Sequence, residues 1–130
     1  MTLQIDVRVR RGAFLLDAAV EVAPGETLGV IGPNGSGKTS LLRVVAGLTP
    51  IDGGVIRFGD TTWDDPAASR FVDPTRRRCP VVFQDYRLFP HLSVLDNVAY
   101  PRRVQGFGRR EARLRASETL DHLGLADLAD

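Results

Sequence analysis

Among its 130 residues the chain has one cysteine, one lysine, one tryptophan and one methionine. The lone Cys79 permits no internal disulfide and no cysteine-based zinc site, which fits a reducing compartment and a small hydrophobic role. Long apolar runs are missing as well, and none approaches the ~18 residues a membrane span needs. The residues after Met1 alternate as a strand does and do not form a leader's apolar stretch. A soluble chain that is not secreted by that route is therefore expected. An excess of one charge is also lacking. Seventeen basic residues against 16 acidic ones give +1, which leaves no global case for a nucleic-acid or membrane-surface binder. At 43% hydrophobic and 25% charged, the composition excludes disordered and fibrous classes. The length suits one domain, able to bury roughly two-thirds of its unfolded surface.

Sixteen of the 17 basic residues are arginine, so Lys38 stands alone. An Arg-rich codon bias accounts for the sixteen. The single Lys sits where a compact ammonium has a chemical use.

Several elements are legible along the chain. Leu3, Ile5, Val7 and Val9 alternate with polar residues, as do Ala18, Val20 and Val22, and each set predicts a half-buried strand. Thr27 to Ile31 is a short apolar run that predicts a strand buried on both faces. Leu41, Leu42, Val44, Val45 and Leu48 recur at helical spacing, with Gly47 and Pro50 ending the helix. Asp52-Gly53-Gly54 reads as a turn and residues 55–58 as a strand. Residues 59–78 read as polar and irregular, with Trp63 packing locally. Val81-Val82-Phe83 predicts another strand, ending at Gln84. Ser93 and Asp96 resemble a capping box for a helix that Pro101 stops. Ala112, Ala116, Leu120 and Leu123 predict an amphipathic helix over 109–123, closed by Gly124. Arg76-Arg77-Arg78 and the arginines from Arg102 to Arg115 read as solvated faces, and His122 as solvated.

Gly32-Pro33-Asn34-Gly35-Ser36-Gly37-Lys38-Thr39 has four free residues between a Gly and Gly-Lys-Thr, a match expected by chance in about one such chain in a thousand. The expected strand before it and helix after it strengthen the match. The chemistry suits phosphate. Gly35 and Gly37 let the backbone turn its N–H groups inward, and the helix start adds its positive dipole end. Lys38 places a point charge between the β- and γ-phosphates. Thr39 offers a hydroxyl to Mg²⁺, and Ser40 can donate to the α-phosphate.

The loop alone serves several nucleotide-hydrolysing families. Residues 80–100, beginning Pro-Val-Val-Phe-Gln-Asp-Tyr-Arg-Leu-Phe-Pro-His, resemble the Q-loop region of ABC transporter ATP-binding subunits. The spacing from Lys38 to Gln84 and the run Gly-Leu-Thr-Pro then Asp-Gly-Gly over 47–54 are similar to that family's. The resemblance covers essentially the whole chain. It implies an α/β fold: a P-loop core with an antiparallel β layer over about 1–90, then the start of a helical subdomain over about 91–130, together an incomplete domain. It implies ATP and Mg²⁺ as cofactors. Gly32 to Ser40 would hold the triphosphate, and Gln84 would complete the Mg²⁺ shell and sense the attacking water. An aromatic near the N-terminus stacks on adenine in that family. Phe14 is the candidate here, and a core position is the alternative for it. The segment after Gln84, with Phe89, Pro90 and His91, would face transmembrane permease subunits. The implied setting is a homodimer or pseudo-dimer, peripheral on the cytoplasmic face of the membrane, with a solute-binding protein as an indirect partner and no nucleic acid.

Phe71 to Arg78 followed by residues 83–91 resembles importers of oxyanions, molybdate especially. The family's signature, its Asp-Glu strand and its switch His do not occur, and Asp127 and Asp130 do not replace them. These 130 residues alone are thus expected to turn over ATP negligibly and to leave the strand at 27–31 with unpaired edges. The alternatives are a truncated non-catalytic nucleotide-binding fragment, an ABC-type DNA-repair or chromosome ATPase head, and a nucleotide kinase. Pro101, Gly106 and Gly108 interrupt the long heptads a repair-type head needs. A kinase would leave Phe83-Gln84 unexplained.

Overall fold

The computed structural model describes residues 1–129, which fall into two compact units, Met1–Val81 and the residues from Val82 onward. In the first unit, strands β1 (Leu3–Arg11), β2 (Phe14–Val22), β3 (Gly53–Phe58), β4 (Thr61–Asp65) and β5 (Arg70–Phe71) form one sheet in the order β2-β1-β3-β4-β5. Every pairing is antiparallel. The alternation in β1 does what its period dictates: Ile5, Val7 and Val9 are buried while Gln4, Asp6 and Arg8 face solvent. Helix α1 (Lys38–Val45) lays Leu41, Val44 and Val45 on that face, and Leu16, Ile51, Ile56 and Trp63 complete the core.

Gly53 and Gly54 belong to β3, paired with Arg8 and Val7, so the expected turn at 52–54 is confined to its first residue. The stretch read as irregular holds β4, β5 and two 3₁₀ turns, Pro66–Ala68 and Pro74–Arg76. Their prolines start the turns, where a missing N–H costs nothing. Trp63 lies on β4, buried, with its ring stacked on Phe58 at a centroid distance of 5.1 Å.

Arg77 corrects the reading of its triplet as a solvated face. Arg76 and Arg78 are exposed, but the Arg77 side chain is wholly buried. Its Nη1 donates to Val44 O at 2.9 Å and Val45 O at 3.0 Å, two carbonyls at the end of α1, of which Val44 O also accepts from the Gly47 amide at 3.0 Å. Nε donates to Val72 O at 2.9 Å and Nη2 to Trp63 O at 3.3 Å. Asp64 Oδ2 lies 3.7 Å from Nη2, and the guanidinium carbon stands 5.1 Å and 5.7 Å from the Phe71 and Trp63 ring centroids.

Burial pushes the Asp64 carboxyl above its ordinary 3.8 despite the Ile51 amide and Arg77, and burial likewise lowers Arg77. A raised carboxyl means that the folded state holds the proton more tightly than the unfolded one. The stability Asp64 contributes is therefore full below 3.8 and lost as pH rises through its folded value. Urea melts of the wild type and Asp64→Asn should show the wild type losing ground relative to the variant as pH rises from about 4. A difference growing in the opposite direction would contradict this cause.

The expected buried strands at 27–31 and 81–83 are absent among the described residues. Neither segment has regular structure, and Ile31 and Val82 are 95% and 88% exposed. Apolar sequence supplies the demand for burial, but a strand exists only where a second backbone accepts its hydrogen bonds.

In the second unit, α2 (Val94–Val104) and α3 (Arg109–His122) pack through Ala99, Ala112 and Ala116, whose small side chains let the backbones approach. Ser93 caps α2 by accepting from the Asp96 amide at 3.2 Å. Pro101 lies inside α2 and does not stop it. Only the bond back to Asn97 is lost, and the helix resumes with the Gln105 amide on Pro101 O. Asp96 Oδ1, buried and without a hydrogen bond, is 3.7 Å from Arg113 Nε. On α3 the expected stripe buries Ala112, Ala116 and Leu120, while Leu123 is exposed.

Candidate phosphate-binding site

The loop from Gly32 to Gly37 carries the chain into α1. Gly35 and Gly37 have φ of 82° and 98°, and the Ser36 amide closes a turn on Pro33 O at 3.2 Å. Gly37 is required twice over. Its φ disfavours any side chain, and a Cβ there would stand 2.8 Å from Phe14 Cζ and 3.3 Å from Leu16 Cδ1. The glycine therefore lets the sheet's hairpin sit directly against the loop.

Among the described residues, the amides of Gly35, Gly37, Lys38, Thr39 and Ser40 donate to no backbone carbonyl. The first intrahelical bond runs from Leu41 N to Gly37 O at 2.8 Å. Unpaired donors at a helix start, with the dipole behind them, form an anion cradle. Lys38 Nζ donates to Gly32 O and Pro33 O, both at 2.8 Å, so the ammonium is held at the loop's opening residues. A polyanion fits this donor set: free amides, one cation, and the hydroxyls of Ser36, Thr39 and Ser40.

The expected residues divide between the units. Gly32, Pro33, Asn34, Gly35, Ser36, Gly37, Lys38, Thr39 and Ser40 form one continuous segment, and Phe14 stands beside it with its half-buried ring against the core. Gln84 lies in the second unit, exposed and in a turn that the Tyr86 amide closes on Phe83 O at 3.0 Å. It does not end a strand there, because 81–83 has no partner. Tyr86 and Arg87 follow with φ of 54° and 46°, and Arg87 Nε bonds both Asp85 oxygens at 3.2 Å.

Asn97 was not singled out by sequence, yet it organises the segment after Gln84. Its Oδ1 accepts from the Phe89 amide at 2.8 Å, and its Nδ2 donates to the carbonyls of Phe89, Leu92 and Ser93 at 3.0–3.1 Å. Phe89 in turn packs on Tyr100 at 4.5 Å and meets His91 edge-on at 6.0 Å. Ser93 at the cap gave the only local hint, since Asn97 stands one turn beyond it. Cys79 is half-buried against the core. His122 Nδ1 lies 2.8 Å from Glu118 O. Asp127 is exposed in the 3₁₀ turn Ala126–Leu128, and Asp130 lies outside the described residues. No helix among the described residues is long and apolar enough to cross a membrane.

A family model described as "ABC transporter" matches residues 15–130. Among similar proteins, the molybdenum import ATP-binding protein ModC of Rhizobium etli is 44% identical over 123 residues, covering 95% of this chain and 33% of that protein. The sn-glycerol-3-phosphate import ATP-binding protein UgpC of Cupriavidus metallidurans is 41% identical over 111 residues, covering 85% and 29%. The taurine import ATP-binding protein TauB of Pseudomonas aeruginosa is 37% identical over 130 residues, covering 100% and 46%. The chain thus spans between about a third and a half of the length of these relatives. A dimeric ATP-binding cassette solved in a post-hydrolysis state with ADP and Pi superimposes with a TM-score of 0.75 at 26% identity, covering 99% of this chain and 60% of that one.

Proposed function

The chain belongs to the ABC transporter family, and we propose that it forms the phosphate-binding part of an ATP-binding subunit that powers solute import. The observation that carries this is the Gly32–Ser40 segment, which combines unpaired amides at the start of α1 with a single ammonium held on Gly32 O and Pro33 O. In that role the loop amides hold the β- and γ-phosphates, and Lys38 leaves its two carbonyls to neutralise the charge between them. Thr39 and Gln84 are the residues that would hold Mg²⁺, which when bound offsets charge on the phosphate oxygens. Ser40 binds the α-phosphate, and Phe14 is positioned near the loop for the base.

The partners follow from the same reading. The segment after Gln84, with Phe89, Pro90 and His91 ordered by Asn97, meets a transmembrane permease at the cytoplasmic face of the membrane. A second ATP-binding subunit completes the nucleotide site, and a solute-binding protein delivers cargo to the permease. Within this function we favour an oxyanion such as molybdate, on the runs 71–78 and 83–91. Its support from similar proteins is one among several, since others are named for taurine and sn-glycerol-3-phosphate import.

Binding, and not turnover, tests the site in this chain. Titration with a fluorescent ATP analogue and Mg²⁺ should show saturable binding, weakened about a hundredfold in Lys38→Ala, where a charge-assisted contact is lost. Equal affinity of the two chains would overturn the proposal.

A further inference from the structure

The near-neutral charge of the whole chain hides a local excess at the corner joining α2 to α3. Residues 102–115 hold six arginines and one acid, Glu111. Arg113 stands 3.7 Å from Asp96, and Arg115 lies 3.2 Å from Glu118. Arg102, Arg103, Arg109 and Arg110 are exposed, and among the described residues none has an ion pair. We infer that this corner docks on an anionic lipid surface, with a lipid phosphate between Arg103 and Arg109 and the Phe107 ring in the interface. The inference rests on the reading above that this unit works at a membrane face, and it extends that reading.

The corner is built to present Phe107. The Gly106 amide donates to Arg103 O at 3.0 Å and the Phe107 amide to Arg102 O at 3.1 Å, with Gly106 at φ 96°. That is the glycine-ended helix stop, in which the residue after the glycine ordinarily packs on an apolar side chain of the last turn. Here the facing position is Arg102, whose guanidinium carbon stands 5.6 Å from the Phe107 ring centroid. The ring therefore stays exposed. A Cβ on Gly106 or Gly108 would meet nothing within 4 Å, so Phe107 stands between two open positions. Such a tip suits a fluid surface, whereas a protein partner would need a pocket shaped to it.

The chemistry around the tip has two halves. Tyr100, Arg103, Val104, Phe107 and Arg109 line a cleft of about 370 Å³. Its two guanidiniums suit a phosphodiester, which accepts paired N–H donors. Val104, 68% exposed, and the two aromatic rings suit the apolar layer that begins just beneath lipid phosphates. A dissolved anion has no use for those apolar walls. Tyr100 also joins the corner to the segment proposed to face the permease, because Phe89 packs on it with ring centroids 4.5 Å apart. A unit held against a permease by that segment carries these arginines beside the headgroups.

The test is co-sedimentation of the full chain with vesicles of phosphatidylcholine alone, and of phosphatidylcholine with about 30% phosphatidylglycerol. The wild type should pellet with the anionic vesicles only, and be released as NaCl rises from about 0.05 M to about 0.5 M. The double variant Arg103→Gln/Arg109→Gln should bind those vesicles about thirtyfold more weakly, and Phe107→Ala about fivefold, with thermal midpoints like the wild type's. Equal pelleting with both vesicles, or indifference to salt, would mean hydrophobic sticking and overturn the inference. A double variant or a Phe107→Ala chain that binds like the wild type would do the same. Poly-glutamate bound more tightly than the anionic vesicles, and lost in the double variant, would make the corner a dock for an acidic protein and remove the lipid. Lys38→Ala should keep vesicle binding while losing the ATP analogue. An ATP affinity unchanged by Lys38→Ala would bring down the proposed function and leave the vesicle result standing.

Discussion

Replacing Arg77 with alanine should cost the first unit about 3–5 kcal/mol, the range for removing one partner of a buried ion pair. The loss does not measure the attraction to Asp64, since desolvation already pushes both groups toward their neutral forms. It reflects what is left behind. Four carbonyls, those of Val44, Val45, Trp63 and Val72, lose a donor together with the carboxylate. The side chain also fills space beside Gly47, where a Cβ would come within 2.6 Å of its Nε, so alanine leaves a hole as well. Domains of this size are stable by about 5–15 kcal/mol, so the urea midpoint should fall by about a fifth or more. Lysine should not rescue it, because one ammonium cannot reach acceptors on both sides of a planar fork. A cost below about 1 kcal/mol would mean that water replaces the guanidinium, and the burial argument would fail.

Gly54→Ala should do comparable damage by a different route. Gly54 has φ of 90°, and a Cβ there would lie 2.1 Å from Asp6 O and 2.8 Å from Asp6 C. Those atoms are backbone, so no rotamer relieves the clash, and β1 and β3 must separate where Val7 pairs with Gly54. Strain and lost pairing together put the cost at about 4 kcal/mol or more, with a correspondingly low soluble yield. Gly53→Ala supplies the control. Its Cβ would meet only Arg8 Cβ at 3.9 Å, an ordinary contact, and the thermal midpoint should barely move. Similar midpoints for the two variants would show that the sheet bends to admit a methyl group.

These two residues also mark where the sequence stopped being legible. The strands around Ile5, Val20 and Ile56 and the two longer stripes, on α1 and α3, follow from period alone, and the phosphate loop from its motif. Gly54 was visible as a glycine but read as a turn, because the need for it lies in the approach of β1, a strand about fifty positions away. Arg77 was one of three identical letters, and nothing local distinguishes the one that turns inward. The carbonyls it serves end a helix elsewhere in the chain. At 27–31 and 81–83 composition predicted strands that the described residues do not form, because pairing is a property of two backbones and no single segment encodes it. Among the site residues, the Gly32–Ser40 run was legible because its chemistry is contiguous. Asn97 was not, because it acts across a fold that the sequence does not display.

The Arg77 contacts also impose an order in time. During synthesis β1, β2, α1 and β3 emerge first, and their pairings need nothing beyond Phe58. The carbonyl of Val45 then stays hydrated until Arg77 leaves the ribosome, about one to four seconds later at ordinary elongation rates, while Val44 O holds only its bond from the Gly47 amide. For that interval the nascent sheet is assembled but unlatched, and this is when a chaperone or a protease finds the helix end most open to it.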